Sequence, residues 1–287
     1  MTRLPITKTP KPYVGGAFIR SESGRTFPLR DAQGNFFANM PQCTRKDLRN
    51  AVEAAAKAGP GWAKRTAYNR GQILYRLGEM LEARRGELIE TLVRFGATKA
   101  AATKEVDACS DRVIYYAGWA DKYEQVLGNV NPVASPHFTF TVTEPMGVLG
   151  VIAPDAPALL GLISLIAPII TSGNTVVAEV SETNPYPAIL LGEMLATSDL
   201  PGGVVNLLTG FRKELVPTFA THTHLRGLSA AVASADERKT LRLGAAESVK
   251  RVHFAEAKTN WFADSAQDLY AIRDFVEFKT TWHPIGA

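Results

Sequence analysis

Cysteine is nearly absent: the 287-residue chain holds two, Cys43 and Cys109. Two thiols cannot build a disulfide framework or a zinc cluster, and their surroundings place one at a helix start and the other in a helix interior. A reducing, cytoplasmic compartment fits this usage. Charge of one sign is also missing. The 32 basic and 28 acidic residues are interspersed, with a formal net charge of +4 and no Lys/Arg run, so a nucleic-acid or membrane-surface partner is not expected. Long hydrophobic runs are lacking too. The most apolar stretch, 156–170, is too short to span a bilayer and is broken by Pro168, and the opening MTRLPITKTPKP carries no apolar signal core. Histidine is scarce, five in all. His222 and His224 have an H-x-H spacing without a nearby third ligand, which favours a loop before a strand over a metal site, so no metal is expected. Repeats and low-complexity tracts are absent.

What is present is ample core material, with 46% hydrophobic residues. After an irregular start the first third reads as helices. Thr44 and Asp47 approximate a capping box ahead of Leu48, Val52 and Ala55 at helical spacing. The same stripe recurs through Ile73, Leu74, Leu77, Met80 and Leu81, again through Leu88, Ile89, Leu92 and Val93, and a longer helix is expected from about Lys99 to Tyr123. Gly128, Pro132 and Pro136 then break the pattern. In the following HFTFTVTEP, Phe138, Phe140 and Val142 alternate with Thr139, Thr141 and Thr143, the period of a strand with one wet face. Short apolar runs begin near Val148, Val176, Val204, Leu225 and Arg251, separated by helical stretches such as ALLGLISLIAPII or by polar turns. They predict a parallel, doubly wound sheet covered on both faces, an α/β fold. The terminal VEFKTTWHP alternates once more, with Val276, Phe278, Thr280 and Trp282 opposite Glu277, Lys279 and Thr281. It reads as a lone strand with nothing obvious in sequence to pair with.

The stretch YYAGWADKY (115–123), then VTEPMGVLGVIAP and DLPGGVVNLLTGF, in that order, resembles the aldehyde dehydrogenase superfamily. The resemblance runs nearly end to end. It implies an N-terminal helical part of a nucleotide-binding-type domain at 1–127, an oligomerisation hairpin at 128–145, a Rossmann-like βαβ part at 146–269 and a C-terminal oligomerisation strand at 270–287. The catalytic domain that such proteins carry before their last strand is expected to be absent. In this the chain is similar to the degenerate C-terminal region of family 16 aldehyde dehydrogenases.

Residue matching within the resemblance implies lost chemistry. Aldehyde oxidation in this family passes through a thiohemiacetal on a cysteine, and Cys43 and Cys109 fall among non-catalytic helices. Where the family has an oxyanion-stabilising asparagine two residues after a proline, the chain reads Pro154, Asp155, Ala156, a loss worth about 2.7–4 kcal/mol in comparable oxyanion holes. Where the general-base glutamate follows K-R-V, the chain reads Lys250, Arg251, Val252, His253, Phe254, Ala255, with Glu256 one residue out of register. Losing such a base typically costs a factor of ~10²–10⁴. No catalytic residue is therefore assigned. On the nucleotide side, Glu179, Val180, Ser181, Glu182 keep the ribose-binding acid but replace its lysine partner with a carboxylate. The pyrophosphate turn aligns with Ala230, Ala231, Val232, Ala233, and the Gly-Phe-Gly turn with Gly210, Phe211, Arg212. Glu182 and Gly210 are the vestigial cofactor-binding residues; no cofactor is expected, weak NAD or NADP binding being the alternative. Asp155 has no nameable partner and reads as solvated; His253 and His283 each stand alone on a strand and read as structural. The expected role is a pseudoenzyme subunit that binds a full-length aldehyde dehydrogenase, or itself, through 137–143 and 276–282. A nucleotide-binding module or residual oxidoreductase is the alternative.

Overall fold

The computed structural model describes residues 8–232, 234–256 and 258–286. The five expected apolar runs form strands β7 (Val148–Ile152), β8 (Thr175–Glu179), β9 (Val205–Leu208), β10 (Leu225–Ala230) and β11 (Arg251–Phe254), parallel to one another. Helices α6 (Ala158–Thr171), α7 (Tyr186–Leu195), α8 (Arg212–Thr221) and α9 (Ala235–Glu247) make the crossovers. Side chains alternate across the sheet as the pleat requires. Leu149, Val151, Val176, Ala178, Val205 and Leu207 pack into one core with α6 and α7. Val148, Ile152, Val177, Leu208 and Leu228 pack into the other with α8 and α9. Both faces of β7, β8, β9 and β10 are thus covered, which is why these strands read as apolar runs, while β11 at the edge stays partly exposed.

The N-terminal third supplies the flanking helices. The capping box closes as Thr44 Oγ1 accepts from Lys46 N at 3.3 Å and Asp47 Oδ2 accepts from Thr44 N at 2.7 Å, starting α1 (Arg45–Ala63). Next come α2 (Ala67–Ala83), α3 (Arg85–Arg94) and α4 (Lys99–Trp119). The long helix stops four residues short of Tyr123; Lys122 N bonds Trp119 O at 2.9 Å, and a separate short helix α5 (Tyr123–Leu127) follows.

Within the described residues the start is not irregular. Strands β1 (Tyr13–Val14) and β2 (Ala17–Phe18) extend the main sheet antiparallel beside β9, and β3 (Thr26–Arg30) pairs with β4 (Phe36–Pro41) in a hairpin. Strands of two residues are too short to show a period, so only the partner strand reveals them. The complete order is β11-β10-β7-β8-β9-β1-β2. Successive strands run outward from β7 on one side through β8 and β9, then the chain returns to its other side with β10. The reversal opens a crevice at the carboxyl ends of β7 and β10, where ligands bind in open α/β sheets.

A second sheet stands apart, in the order β12-β6-β5, built from β5 (Asn129–Asn131), β6 (His137–Pro145) and β12 (Val276–Pro284). The terminal strand is not lone: all nine residues of β12 pair antiparallel with β6, from Val276↔Pro145 to Pro284↔His137. A partner lying more than a hundred residues upstream leaves no local turn signal. The wet face of β6 is also the reverse of the expected one. Thr139 and Thr143 are buried while Phe138 and Val142 are exposed. Local bonds make this arrangement inexpensive, since Thr139 Oγ1 donates to Asn131 O, Asn131 Nδ2 donates to Thr141 Oγ1 at 2.8 Å, and Thr143 Oγ1 donates to Glu124 at 3.4 Å.

Candidate functional site

Strands β7, β8 and β9 each deliver a polar group to the carboxyl end of the sheet, beside the crevice. Beyond β7 the chain runs Ala153–Pro154–Asp155, beyond β8 Val180–Ser181–Glu182, and beyond β9 it turns through Gly210 into α8, which opens with Arg212. Asp155 is not a solvated surface acid. Its Oδ2 pairs with Arg212 Nη1 at 2.8 Å, while Oδ1 accepts from Glu182 N at 2.9 Å, Thr183 N at 3.3 Å and Ser181 Oγ at 3.3 Å. No sequence-local signal joins residues 57 apart. Arg212 Nη2 also donates to Ala153 O at 2.8 Å, and its backbone N donates to Glu182 Oε2 at 2.8 Å. The arginine therefore spans the end of the sheet from β9 to β7.

Glu179, the last residue of β8, is completely buried, and neither carboxylate oxygen has a hydrogen-bond partner among the described residues. Burial pushes its pKa up to about 8; Arg212 opposes the shift, and the nearby Glu182, Glu237 and Asp155 add to it. Glu237 stands in the first turn of α9, where Ser234 Oγ accepts its backbone N at 3.4 Å, and burial raises its pKa as well. Asp236 shares that turn. Arg238 donates to Val232 O and Ala255 O and lies 4.9 Å over the Phe254 ring.

Arg212 thus meets Asp155 and Glu182 directly, with Glu237 and a Glu179 that holds its proton at neutral pH nearby, and its guanidinium donates to Asp155 and Ala153. An anionic dinucleotide would meet net negative charge here and a helix N-terminus already supplied with its own acids. The residues present do not fit NAD or NADP. Of the two vestigial residues, Glu182 reaches the crevice but is engaged by Arg212 N. Gly210 does not face it, because a Cβ at Gly210 would meet Cys43 O at 3.1 Å and Leu215 Cδ1 at 3.2 Å; the glycine permits close packing. In the third matched segment Ala230 and Val232 are buried, and Ala233 lies outside the described residues.

The groups expected for acyl chemistry can be placed in the same way. Cys43 and Cys109 are fully buried. Burial, reinforced by Asp47, pushes the Cys43 thiol up to about 12, and burial raises Cys109 well above the ordinary thiol range. Both environments favour the neutral thiol over the thiolate. Ala156 precedes α6, whose first amides at Leu159 and Leu160 donate to Glu105 Oε1 at 2.9 and 3.2 Å. This buried carboxylate from α4 gave no signal in sequence beyond an acid on an otherwise packed helical face. Ala255 follows β11 with its N bonded to Ala230 O at 3.0 Å, and Glu256 beside it is exposed.

His253 is not alone. Its Nδ1 lies 3.1 Å from Asp274 Oδ2, and both residues line a cavity of about 630 Å³ between α6, the ends of β10 and β11, and the 256–275 connection. His283 sits on β12 opposite Phe138. His222 and His224 meet edge-on with ring centroids 5.9 Å apart, and no group of three metal-ligating side chains occurs among the described residues. Nor is any described helix long and apolar enough to cross a membrane.

Comparison with known proteins agrees with this architecture. The model of the Aldehyde dehydrogenase family matches residues 18–271. Among curated relatives, aldehyde dehydrogenase, cytosolic 1 of Elephantulus edwardii is 31% identical over 268 residues, covering 91% of this chain and 50% of the relative. Retinal dehydrogenase 2 of Gallus gallus is 35% identical over 221 residues, covering 75% and 42%. Among solved structures, HpcC of Thermus thermophilus superposes with a TM-score of 0.81 at 28% identity, covering 86% of this chain and 48% of that one. The NAD+ complex of an aldehyde dehydrogenase from Bacillus cereus shares the fold at TM-score 0.81 and 24% identity, over 86% and 50%. The chain spans about half the length of the curated relatives it matches. On the order of its motifs, its crevice-bearing sheet, its separate three-stranded sheet and these matches, the chain belongs to the aldehyde dehydrogenase family.

Proposed function

We propose that this chain is a non-catalytic aldehyde dehydrogenase-like subunit that assembles with, and supports, a full-length NAD(P)-dependent aldehyde dehydrogenase through 137–143 and 276–282. The observation that carries the reading is the exposed apolar surface of the β12-β6-β5 sheet. Registered partners share a face, so Phe138, Phe140 and Val142 lie on one side with Val130, whereas Phe278 and Trp282 lie on the other beside the threonine row. Phe138, Val142, Val130, Phe278 and Trp282 are each 41–56% exposed. A three-stranded sheet with apolar side chains on both faces and two open edges is poorly matched to water and well matched to another chain. The crevice supports the non-catalytic half of the reading, because Arg212 is held by Asp155 and Glu182 at the carboxyl end of the sheet, beside the protonated Glu179, and leaves a surface poorly matched to an anionic nucleotide. The two buried, unpaired thiols suit a cytoplasmic setting.

Co-expression with a full-length aldehyde dehydrogenase, followed by size-exclusion chromatography and native mass spectrometry, tests the assembly. A mixed oligomer is expected, and separate elution of the two chains at micromolar concentration contradicts it. The second reading, a nucleotide-binding module or residual oxidoreductase, draws on Glu182 standing at the crevice. Calorimetry with NAD and with NADP separates the two: the pseudoenzyme reading predicts no heat of binding at millimolar nucleotide, and saturable binding favours the module.

A further inference from the structure

The main sheet ends at β11, which pairs with β10 alone. Ala255 N donates to Ala230 O at 3.0 Å, and successive residues of a strand turn their backbone N–H and C=O groups to opposite sides. Residues 251, 253 and 255 therefore face β10, whereas Val252 and Phe254 turn theirs outward. None of these outward groups has a hydrogen-bond partner among the described residues. The strand also lacks the usual devices that blunt an edge, since it carries no proline and its register with β10 has no bulge. Its polar side chains, Arg251 and His253, lie on one face and are engaged there, Arg251 by Val276 O and Glu277 and His253 by Asp274.

Val252 and Phe254 lie on the other face, against the core cluster that includes Leu241 and Phe219. Two guanidinium groups from α9 lie against the Phe254 ring, Arg238 at 4.9 Å and Arg242 at 5.2 Å from its centroid. Among the described residues neither arginine, nor Lys239 between them, has a carboxylate partner. The acids of the same helix act elsewhere: Asp236 and Glu237 stand in its first turn, with Glu237 in the field of Arg212, and Glu247 at its far end acts on Lys250. Glu256 lies beyond the paired residues of the strand. A chain laid along this edge thus meets positive charge on its α9 side. A second copy paired antiparallel about a two-fold axis would set α9 against α9, and Arg238 and Arg242 would face their own counterparts. An acidic strand meets opposite charge instead.

We propose that the open edge of β11 receives an extended acidic segment of another protein, added as a further strand of the main sheet, with carboxylates at alternate positions facing Arg238 and Arg242. The segment's carbonyls accept from the Val252 and Phe254 amides, and its own amides donate to the carbonyls of the same two residues, as in other peptides captured by a sheet edge. Because side chains alternate along a strand, every second one falls on the α9 side. Charge is read at those positions and not at the ones between. This edge is separate from the β12-β6-β5 sheet, and the inference does not rest on the assembly proposed above.

The test uses the full chain with a fluorescein-labelled peptide of alternating glutamate and valine, and a lysine–valine peptide of equal length as control. Fluorescence anisotropy should show saturable binding of the acidic peptide that weakens as salt rises. Arg242 is exposed, and R242E should reverse the preference, binding the acidic peptide ~10-fold or more weakly and gaining affinity for the basic one. A merely damaged fold would not give that reversal. In hydrogen-exchange mass spectrometry the acidic peptide should slow exchange at the Val252 and Phe254 amides by ~10-fold or more. Equal binding of both peptides, protection confined to other segments, or no saturable binding at millimolar peptide overturns the proposal. Protection of the same two amides by self-association also overturns it, assigning the edge to a second copy. Exchange is read on the native chain, so the outcome does not depend on a variant folding.

Discussion

Glu179 carries the sharpest electrostatic conflict in the molecule, a buried carboxylate with no hydrogen-bond partner among the described residues and three acids in its surroundings. The folded protein holds its proton up to a pKa of about 8, whereas the unfolded chain releases it in the ordinary carboxyl range. The unfolded state therefore binds fewer protons between those limits, and stability falls as pH rises through that window. E179Q removes the titration. Urea unfolding should show E179Q and wild type alike near pH 5 and the variant more stable at pH 8.5, by on the order of 1–3 kcal/mol; an unchanged pH slope would count against the electrostatic account. The identity of this acid was legible in sequence as the replacement of an expected lysine. Its burial without a hydrogen-bond partner was not, because that depends on how the ends of neighbouring strands pack around β8. Asp155 and His253 were misjudged for the same reason: their partners, Arg212 and Asp274, are distant in sequence and adjacent only across the sheet's end.

At the scale of elements, the contact between β12 and the body is set by β11. Arg251 Nη1 donates to Val276 O at 2.6 Å, Arg251 Nη2 pairs with Glu277 at 3.0 Å, and His253 meets Asp274. Arg251 also relieves the like-charge pair Glu277↔Glu144 across the β12–β6 ladder. The second sheet thus leaves the body from a fixed root. Phe138 and Trp282 lie on its opposite faces, and replacing either with serine should leave the fold intact because both are exposed. Each substitution is expected to weaken the mixed oligomer by ~10-fold or more, as aromatic anchors do. Analytical ultracentrifugation of F138S and W282S with the full-length enzyme tells which face the partner covers; undiminished association in both would remove this sheet from the interface. The five parallel strands and the main helices were plain in the sequence because burial on both faces writes a continuous apolar run. The two-residue strands β1 and β2 and the polarity of β6 were not, since two-residue strands have no period and a buried threonine row looks wet until its hydroxyl partners are known.

For the molecule as a whole, the parallel sheet, the switch point between β7 and β10 and the separate three-stranded sheet place the chain in the aldehyde dehydrogenase family. The sheet's carboxyl end nevertheless presents Arg212, Asp155, Glu179 and Glu182 in place of a surface suited to a nucleotide. Family membership followed from motifs and their order; the closing of the crevice followed only from geometry, because a charge network has no sequence period. On the proposed function, this chain keeps the fold of the nucleotide-binding half without the family's aldehyde chemistry. The most direct test is absorbance at ~340 nm, the reduced nicotinamide band, when the purified chain is mixed with an aldehyde and millimolar NAD or NADP. No signal above the enzyme-free control is predicted, and a burst of reduced nicotinamide stoichiometric with the chain would contradict the account.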